Sequence, residues 1–249
     1  MNLQANATNR SVSRPVALIT GASRGLGETL AHLLAGSHRL ILTARGADGL
    51  AQVGATLQAQ GAEVVTLAGD VASGSHRRRL VEAAHNLGRL DLLLNNASLL
   101  GPSPQPFLAE YPLETLEMVF NVNLLAPIGL IQESIPLLEA SQGLIVNISS
   151  DAAVGGYAGW GGYGMSKAAL DLASKTLAAE LAERRISVIS VDPGDMRTRM
   201  HQEAFPDEDI SDRPLPEITL PFWLWLLGQN PKAISGQRFQ AQAEVWATA

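Results

Sequence analysis

The 249-residue sequence contains no cysteine, which removes disulfides, thiolate metal ligands and cysteine nucleophiles together. Its five histidines are scattered and form no H-x-x-x-H pair, so a zinc site lacks ligands at the usual spacing. Positive charge is not in excess. The net charge of −6 argues against nucleic acid as a partner. No unbroken apolar run reaches the ~18 residues of a membrane span; the longest candidate, Ile218–Leu227, is interrupted by Pro221. Met1–Arg14 is polar and lacks the apolar stretch of a signal peptide, so it is expected to be a loose tail, with the cytoplasm as the compartment. The remainder, 15–249, reads as a single domain: 46% hydrophobic and 17% charged residues are the proportions of a soluble globular chain.

The chemistry concentrates in Ser150–Lys167, SDAAVGGYAGWGGYGMSK. Tyr163 and Lys167 are four apart at the start of an Ala-rich, helix-like segment, which places them on one face a turn apart. Ser150 ends the strand-like run beginning at Leu144, and the glycines between could fold it back toward the tyrosine. A phenol has an unperturbed pKa of about 10, and bringing it near 7 takes about 4 kcal/mol. An ammonium ~4 Å away at an effective dielectric of ~20 supplies that much. The serine could then hold a substrate oxygen while the tyrosine moves a proton. The bland alternative is a core tyrosine beside a snorkelling lysine.

Upstream, Val16–Thr20 is a β-type run followed by Gly21-Ala-Ser-Arg-Gly-Leu-Gly27 and a helix-like stretch. Glycines in this strand–turn–helix context let a pyrophosphate approach a helix N-terminus. The second strand, Leu40–Thr43, ends in Ala44-Arg45 with no carboxylate. An acidic residue there would read a ribose 2′-hydroxyl and a basic one a 2′-phosphate. Arg45, with Arg24 in the glycine loop, therefore favours NADP(H), with NAD(H) the alternative. Asp70, after the third strand, is a candidate for the adenine amino group or a simple turn residue, and Ser73 a helix cap. Arg77-Arg78-Arg79 reads as a solvated face. Asn95-Asn96-Ala97 suits close approach of a ribose.

Leu113–Glu139 reads as a long helix carrying Asn123, with Pro127 and Pro136 expected to kink it. Asn123 either bonds a neighbouring backbone or anchors a proton-relay water. Ile186–Val191 is a strand ending in Asp192-Pro193-Gly194, and the aperiodic segment 199–218 reads as a substrate lid. Tyr157 and Trp160 are candidate pocket aromatics, Trp160 equally a core or interface residue.

Taken in order, TGASRGLG at Thr20–Gly27, NNA at Asn95–Ala97, Asn123, Ser150, YGMSK at Tyr163–Lys167 and DPGDMRT at Asp192–Thr198 resemble the short-chain dehydrogenase/reductases in their compact single-domain form. The resemblance spans Pro15 to Gln240. It implies a three-layer α/β Rossmann-type fold, with a seven-stranded parallel sheet in the order 3-2-1-4-5-6-7 and helices on both faces. It further implies that Tyr163 is the acid/base, that Ser150 orients the carbonyl or hydroxyl, and that Asn123 anchors a relay water. Lys167 would hold the nicotinamide ribose and lower the tyrosine pKa. Gly21, Ser23, Arg24, Gly25, Leu26 and Gly27 would cradle the cofactor at the glycine loop, and Arg45, Asp70 and Val71 at its adenosine end. Asn96 and Ala97 would lie along it, and Pro193, Gly194, Met196 and Thr198 near its carboxamide. Ser150, Tyr157, Trp160 and Tyr163 would meet the substrate. Ser98 stands where the family usually has glycine, and the C-terminus lacks a common acidic di-glycine phrase.

The function expected from the resemblance is reversible NADP(H)-dependent reduction of a small-molecule carbonyl by a homodimer or homotetramer. An NAD-dependent alcohol dehydrogenase is the alternative within the family. A nucleotide-sugar epimerase or dehydratase is disfavoured by the glycine spacing and the missing C-terminal substrate domain. A non-catalytic dinucleotide sensor would have no reason to keep serine, tyrosine, lysine and asparagine together.

Overall fold

A computed structural model describes residues 14–247; the expected N-terminal tail lies outside them except for Arg14. The strands are β1 Val16–Thr20, β2 Arg39–Ala44, β3 Val64–Ala68, β4 Leu92–Asn95, β5 Leu144–Ile148, β6 Ser187–Asp192 and β7 Arg238–Gln240. They form one sheet in the order β3-β2-β1-β4-β5-β6-β7, every neighbouring pair parallel. The expected order is therefore the observed one. Strands covered on both faces must bury both sets of side chains. In β1, Ala17 and Ile19 enter one core while Val16 and Leu18 enter the other.

The first face is covered by α1 Gly25–Leu34, α2 Ala47–Ala59 and α8 Leu220–Leu227, with α9 Pro231–Ile234 beside β6. Leu26 and Leu30 of α1, Leu50 and Leu57 of α2, and Phe222 and Trp223 of α8 supply its apolar stripes. The apolar phrase TLPFWLWLL thus buries Phe222, Trp223 and Leu226, while Leu224 stays exposed. The second face is covered by α3 Gly74–Leu87, α5 Ala126–Ser141 and α6 Gly161–Glu180. Ser73 occupies the N-cap position of α3, but no side-chain cap bond forms; its hydroxyl meets Ser75 Oγ at 2.9 Å instead.

α4 Leu113–Phe120 and α5 are joined through a π turn at Asn121–Leu125. Pro127 has no N–H to return to the carbonyl four residues earlier, and the Ala126 N–H reaches back to Asn121. The helix is therefore widened rather than broken, and it runs on through Pro136. The whole span Leu113–Ser141, 29 residues, is long and apolar enough by length and composition to cross a membrane. Asn121, Asn123 and Gln132 punctuate this span, so it holds no unbroken apolar run of that length. In the fold, Leu130, Ile131, Leu137 and Leu138 bury against the sheet. The aperiodic 199–218 contains a short helix, α7 Arg199–Ala204.

Candidate active site

A cavity of about 820 Å³ lies along the C-terminal ends of β1, β2, β3, β4 and β6. This is where an open parallel sheet presents backbone groups and helix N-termini to a ligand. Gly21, Ser23, Arg24, Gly25 and Leu26 form part of its wall. Gly25 has φ +58°, a left-handed conformation suited to glycine. Gly27 lies behind that wall: a Cβ there would run into the Gly21 carbonyl oxygen and come within 2.6 Å of Asn96 Nδ2. Its absent side chain serves strand–helix approach rather than ligand contact.

Asn96 and Ala97 also line the cavity. The Asn96 amide is turned inward, Nδ2 donating to the carbonyls of Thr20 (2.8 Å) and Gly21 (3.2 Å). Thr20 Oγ1 accepts the N–H groups of Asn96 and Ala97, each at 2.9 Å. The NNA turn thus braces the glycine loop through Thr20, a residue outside the expected site.

Arg24 and Arg45 line the same cavity, are exposed, and among the described residues make no ion pair. The α1 N-terminus has no side-chain cap, leaving first-turn N–H groups for an anion. Asp70 and Val71 also line the cavity. Asp70 Oδ1 accepts the Ala72 N–H at 2.9 Å, a turn role. Arg77, expected in solvent, instead donates to the carbonyls of Val71 (2.8 Å) and Ala72 (3.0 Å). Its Nε stands 3.7 Å from Glu133 Oε1. α3 places Arg77 under the turn, so its head finds carbonyls that need donors.

Tyr163 and Lys167 reach the cavity from the buried face of α6. Lys167 Nζ donates to the Ile148 carbonyl at 2.8 Å and stands 5.5 Å from the Tyr163 ring centre. Burial lowers Lys167 to about 8, opposed by Asp171, so it remains cationic at neutral pH. Burial pushes Tyr163 up to about 12. The Ser98 hydroxyl, and secondarily that of Ser150, act the other way, while Asp192 and Asp151 add to the rise. The expected lowering of the phenol toward neutrality is therefore not achieved by the chain alone, because desolvation outweighs the neighbouring donors.

Ser150 borders Tyr163 without lining the large cavity. Its hydroxyl donates to Asp151 Oδ1 (3.0 Å) and accepts the Ala152 N–H (3.2 Å). Its carbonyl is held by Arg238 of β7 at 2.8 Å, whose guanidinium also pairs with Asp171 (2.9 Å) and Asp192 (3.1 Å). Burial raises the Asp192 pKa, opposed by the Gly194 N–H and Arg238. Arg238 lies 88 residues from Ser150, so no local pattern marks it.

Asn123 is buried beside this centre and fully bonded. Oδ1 accepts from the Leu99 N–H (2.7 Å) and the Ser98 hydroxyl (3.2 Å). Nδ2 donates to the Leu99 carbonyl and to Ser166 Oγ, both at 2.9 Å. Of the two roles expected for this side chain, the structural one occupies it.

Pro193, Met196 and Thr198 line the cavity opposite the glycine loop, while Gly194 does not. Thr198 caps α7 by accepting the His201 N–H at 3.2 Å. Trp160 meets the Tyr163 ring edge-on at 5.8 Å and Phe205 at 5.8 Å. Tyr157 is half exposed and held beside Asp151, whose carboxylate raises its pKa. Of 199–218, Arg199, Met200, Leu215, Pro216 and Glu217 reach the cavity rim.

Residues 15–209 match the family described as short chain dehydrogenase. The rhamnolipids biosynthesis 3-oxoacyl-[acyl-carrier-protein] reductase of Pseudomonas aeruginosa is 33% identical over 225 residues, 86% of this chain and 85% of its own. A short-chain dehydrogenase from Shigella flexneri 2a str. 301, solved with NADP, superposes with a TM-score of 0.84 at 32% identity, covering 92% of this chain and 97% of its own. Another from Escherichia coli CFT073, solved with NADPH, gives 0.84 at 33%, with the same coverage. With the glycine loop, the sheet order and the Tyr163–Lys167 pair found together, these likenesses establish that the chain belongs to the short-chain dehydrogenase/reductase family, as an NAD(P)-dependent oxidoreductase.

Proposed function

We propose that the protein reduces a carbonyl to an alcohol with NADPH, reversibly, using Tyr163 as the acid/base. The observation that carries this reading is the shared cavity, lined by Tyr163 and Lys167 and by the glycine loop together with Arg24 and Arg45, which make no ion pair among the described residues. Bound NADPH supplies the hydride. Arg24 and Arg45 hold its 2′-phosphate, and the open α1 N-terminus takes the pyrophosphate. Lys167, fixed by the Ile148 carbonyl, binds the nicotinamide ribose.

Ser150 would turn its hydroxyl from Asp151 to the substrate oxygen, and Tyr163 would deliver the proton to that oxygen. A phenol held at about 12 is protonated throughout the neutral range, the form that reduction requires. The NADP and NADPH found in the two structural relatives, and the reductase name of the Pseudomonas relative, support the same direction and cofactor.

Trp160 and Phe205 make the substrate side apolar, and 199–218 forms its rim as a lid, which favours a hydrophobic carbonyl. The exposed Met118, Leu125 and Leu172 of the α4–α5 region and α6 are read as homo-oligomer contacts, as in the family. Turnover of a panel of ketones, quinones and 3-oxoacyl thioesters with NADPH and with NADH tests the function. NADPH consumption with at least one class is expected. No turnover with either cofactor would overturn the reading.

A further inference from the structure

The groups read as meeting the substrate oxygen stand on separate elements. Ser150 follows β5, whereas Tyr163 belongs to α6. The connection between them contains Gly155, Gly156 and Gly159, which leave the backbone too free to hold their spacing. One side chain is bonded across that gap. Arg238 of β7 donates from Nη2 to the Ser150 carbonyl at 2.8 Å and from Nε to Asp171 Oδ2 at 2.9 Å. Asp171 follows Tyr163 and Lys167 at the same four-residue step on the buried face of α6. Nη2 also donates to Asp192 Oδ2, at the end of β6, at 3.1 Å. We propose that Arg238 is a positioning residue for the reduction, a strut whose guanidinium fixes Ser150 against the helix that carries Tyr163. The proposal rests on Ser150 orienting the oxygen that Tyr163 protonates.

Stability alone does not call for this network. The side chains of Arg238, Asp171 and Asp192 are 17%, 11% and 5% exposed. Burying two carboxylates with one guanidinium costs desolvation that apolar residues of similar volume would avoid, and what such a cluster supplies is registry. A guanidinium is planar with fixed N–H directions, so holding Asp171 through Nε dictates where Nη2 points. Among the described residues Asp171 Oδ1 has no partner, so Arg238 is the group that holds this carboxylate. At the other end, the Ser150 carbonyl also accepts the Ala153 N–H at 3.1 Å, and the Ser150 hydroxyl accepts the Ala152 N–H at 3.2 Å. Main chain and side chain of the serine are thus gripped together.

The test is a double-mutant cycle on the carbonyl that the panel turns over fastest, with kcat counted per NADPH-binding site from a fluorescence titration. Arg238→Met should lower kcat ~10–100-fold, as small misplacements of reacting groups do, with NADPH affinity unchanged. Arg238→Lys, which keeps the charge without the fork, should recover only part of the loss; full recovery would show charge alone at work and overturn the strut. Ser150→Ala alone should cost ~10²-fold, and adding Arg238→Met to it less than about twofold more, because the two act as one unit. In the cofactor-free protein the Ala153 amide, which shares the Ser150 carbonyl, should exchange its hydrogen faster in Arg238→Met. If that variant folds poorly with its carboxylates unpaired, adding Asp171→Asn and Asp192→Asn removes the buried charges, and the same kcat loss is expected. Unchanged kcat per site, unchanged exchange, losses that multiply in the cycle, or a loss confined to NADPH affinity each overturn the strut and leave the acid/base reading intact. Full turnover by Ser150→Ala overturns the role of Ser150 separately.

Discussion

The glycine-loop wall of the cavity and the aromatic cluster packed on Tyr163 are built on different principles. The glycine-loop wall is made of backbone. Gly21 and the NNA turn are locked by Thr20 and Asn96 through bonds of 2.8–3.2 Å. The cluster packed on Tyr163 is made of side chains: Trp160 on Tyr163, Phe205 on Trp160 and His201 on Phe205, with ring centres 5.0–5.8 Å apart. Backbone bonds fix direction and leave little room to repack. Ring contacts are less directional and tolerate substitution. A cofactor of constant shape suits the first, and a substrate that changes across a family suits the second.

The contrast can be broken most sharply at the seam, where Tyr163 lines the cavity and packs on Trp160. Tyr163→Phe keeps the ring against Trp160 and removes the proton, so turnover should fall ~10²–10⁴-fold, with NADPH affinity retained in a binding titration. On the backbone wall, Gly27→Ala should lower stability by ~1–3 kcal/mol through overpacking, seen as a lower melting temperature. It should also weaken cofactor binding, because the displaced atoms are the Gly21 carbonyl and the Asn96 amide.

At the outer edge of that wall, Arg24→Ala with Arg45→Ala should weaken NADPH binding ~10–100-fold, as loss of charge-assisted bonds does, and hardly touch NADH. Equal NADH and NADPH affinities in the unaltered protein would remove the assigned 2′-phosphate site. In the aromatic cluster, Trp160→Ala should raise KM ~3–10-fold, since a lost apolar contact is worth ~1 kcal/mol. Cofactor affinity should not change. A KM unchanged across the whole carbonyl panel would place Trp160 in the core rather than the pocket.

A last effect, independent of ligand, is on pH-dependent stability. Lys167 titrates at about 8 when folded, against an ordinary 10.5. Between these values the unfolded chain holds the proton that the folded chain has released. Lys167 therefore makes stability rise with pH over this window, by at most ~1.4 kcal/mol per unit. Above the ordinary 10.0 of tyrosine the opposite holds, because the folded phenol keeps its proton to about 12. Melting curves of the cofactor-free protein should show the rise, and Lys167→Met should abolish it.

Local pattern marked the succession of elements and the glycine turn, while the parallel sheet and its order came from the family resemblance. β1 and β5 begin and end where their apolar runs do, and the glycine spacing sits between a strand and a helix. These are local signals, since strand periodicity and left-handed glycines act within a few residues. Tertiary structure decided what each polar head would meet. It turned Arg77 from solvent to the Val71 carbonyl, occupied Asn123 with Leu99 and Ser166, and brought Arg238 to Ser150. It also decided the sign of the Tyr163 shift, because the desolvation that raises a phenol comes from residues packed around it from distant parts of the chain. Spacing can put a lysine one turn from a tyrosine, but only the fold sets how much water is excluded from both.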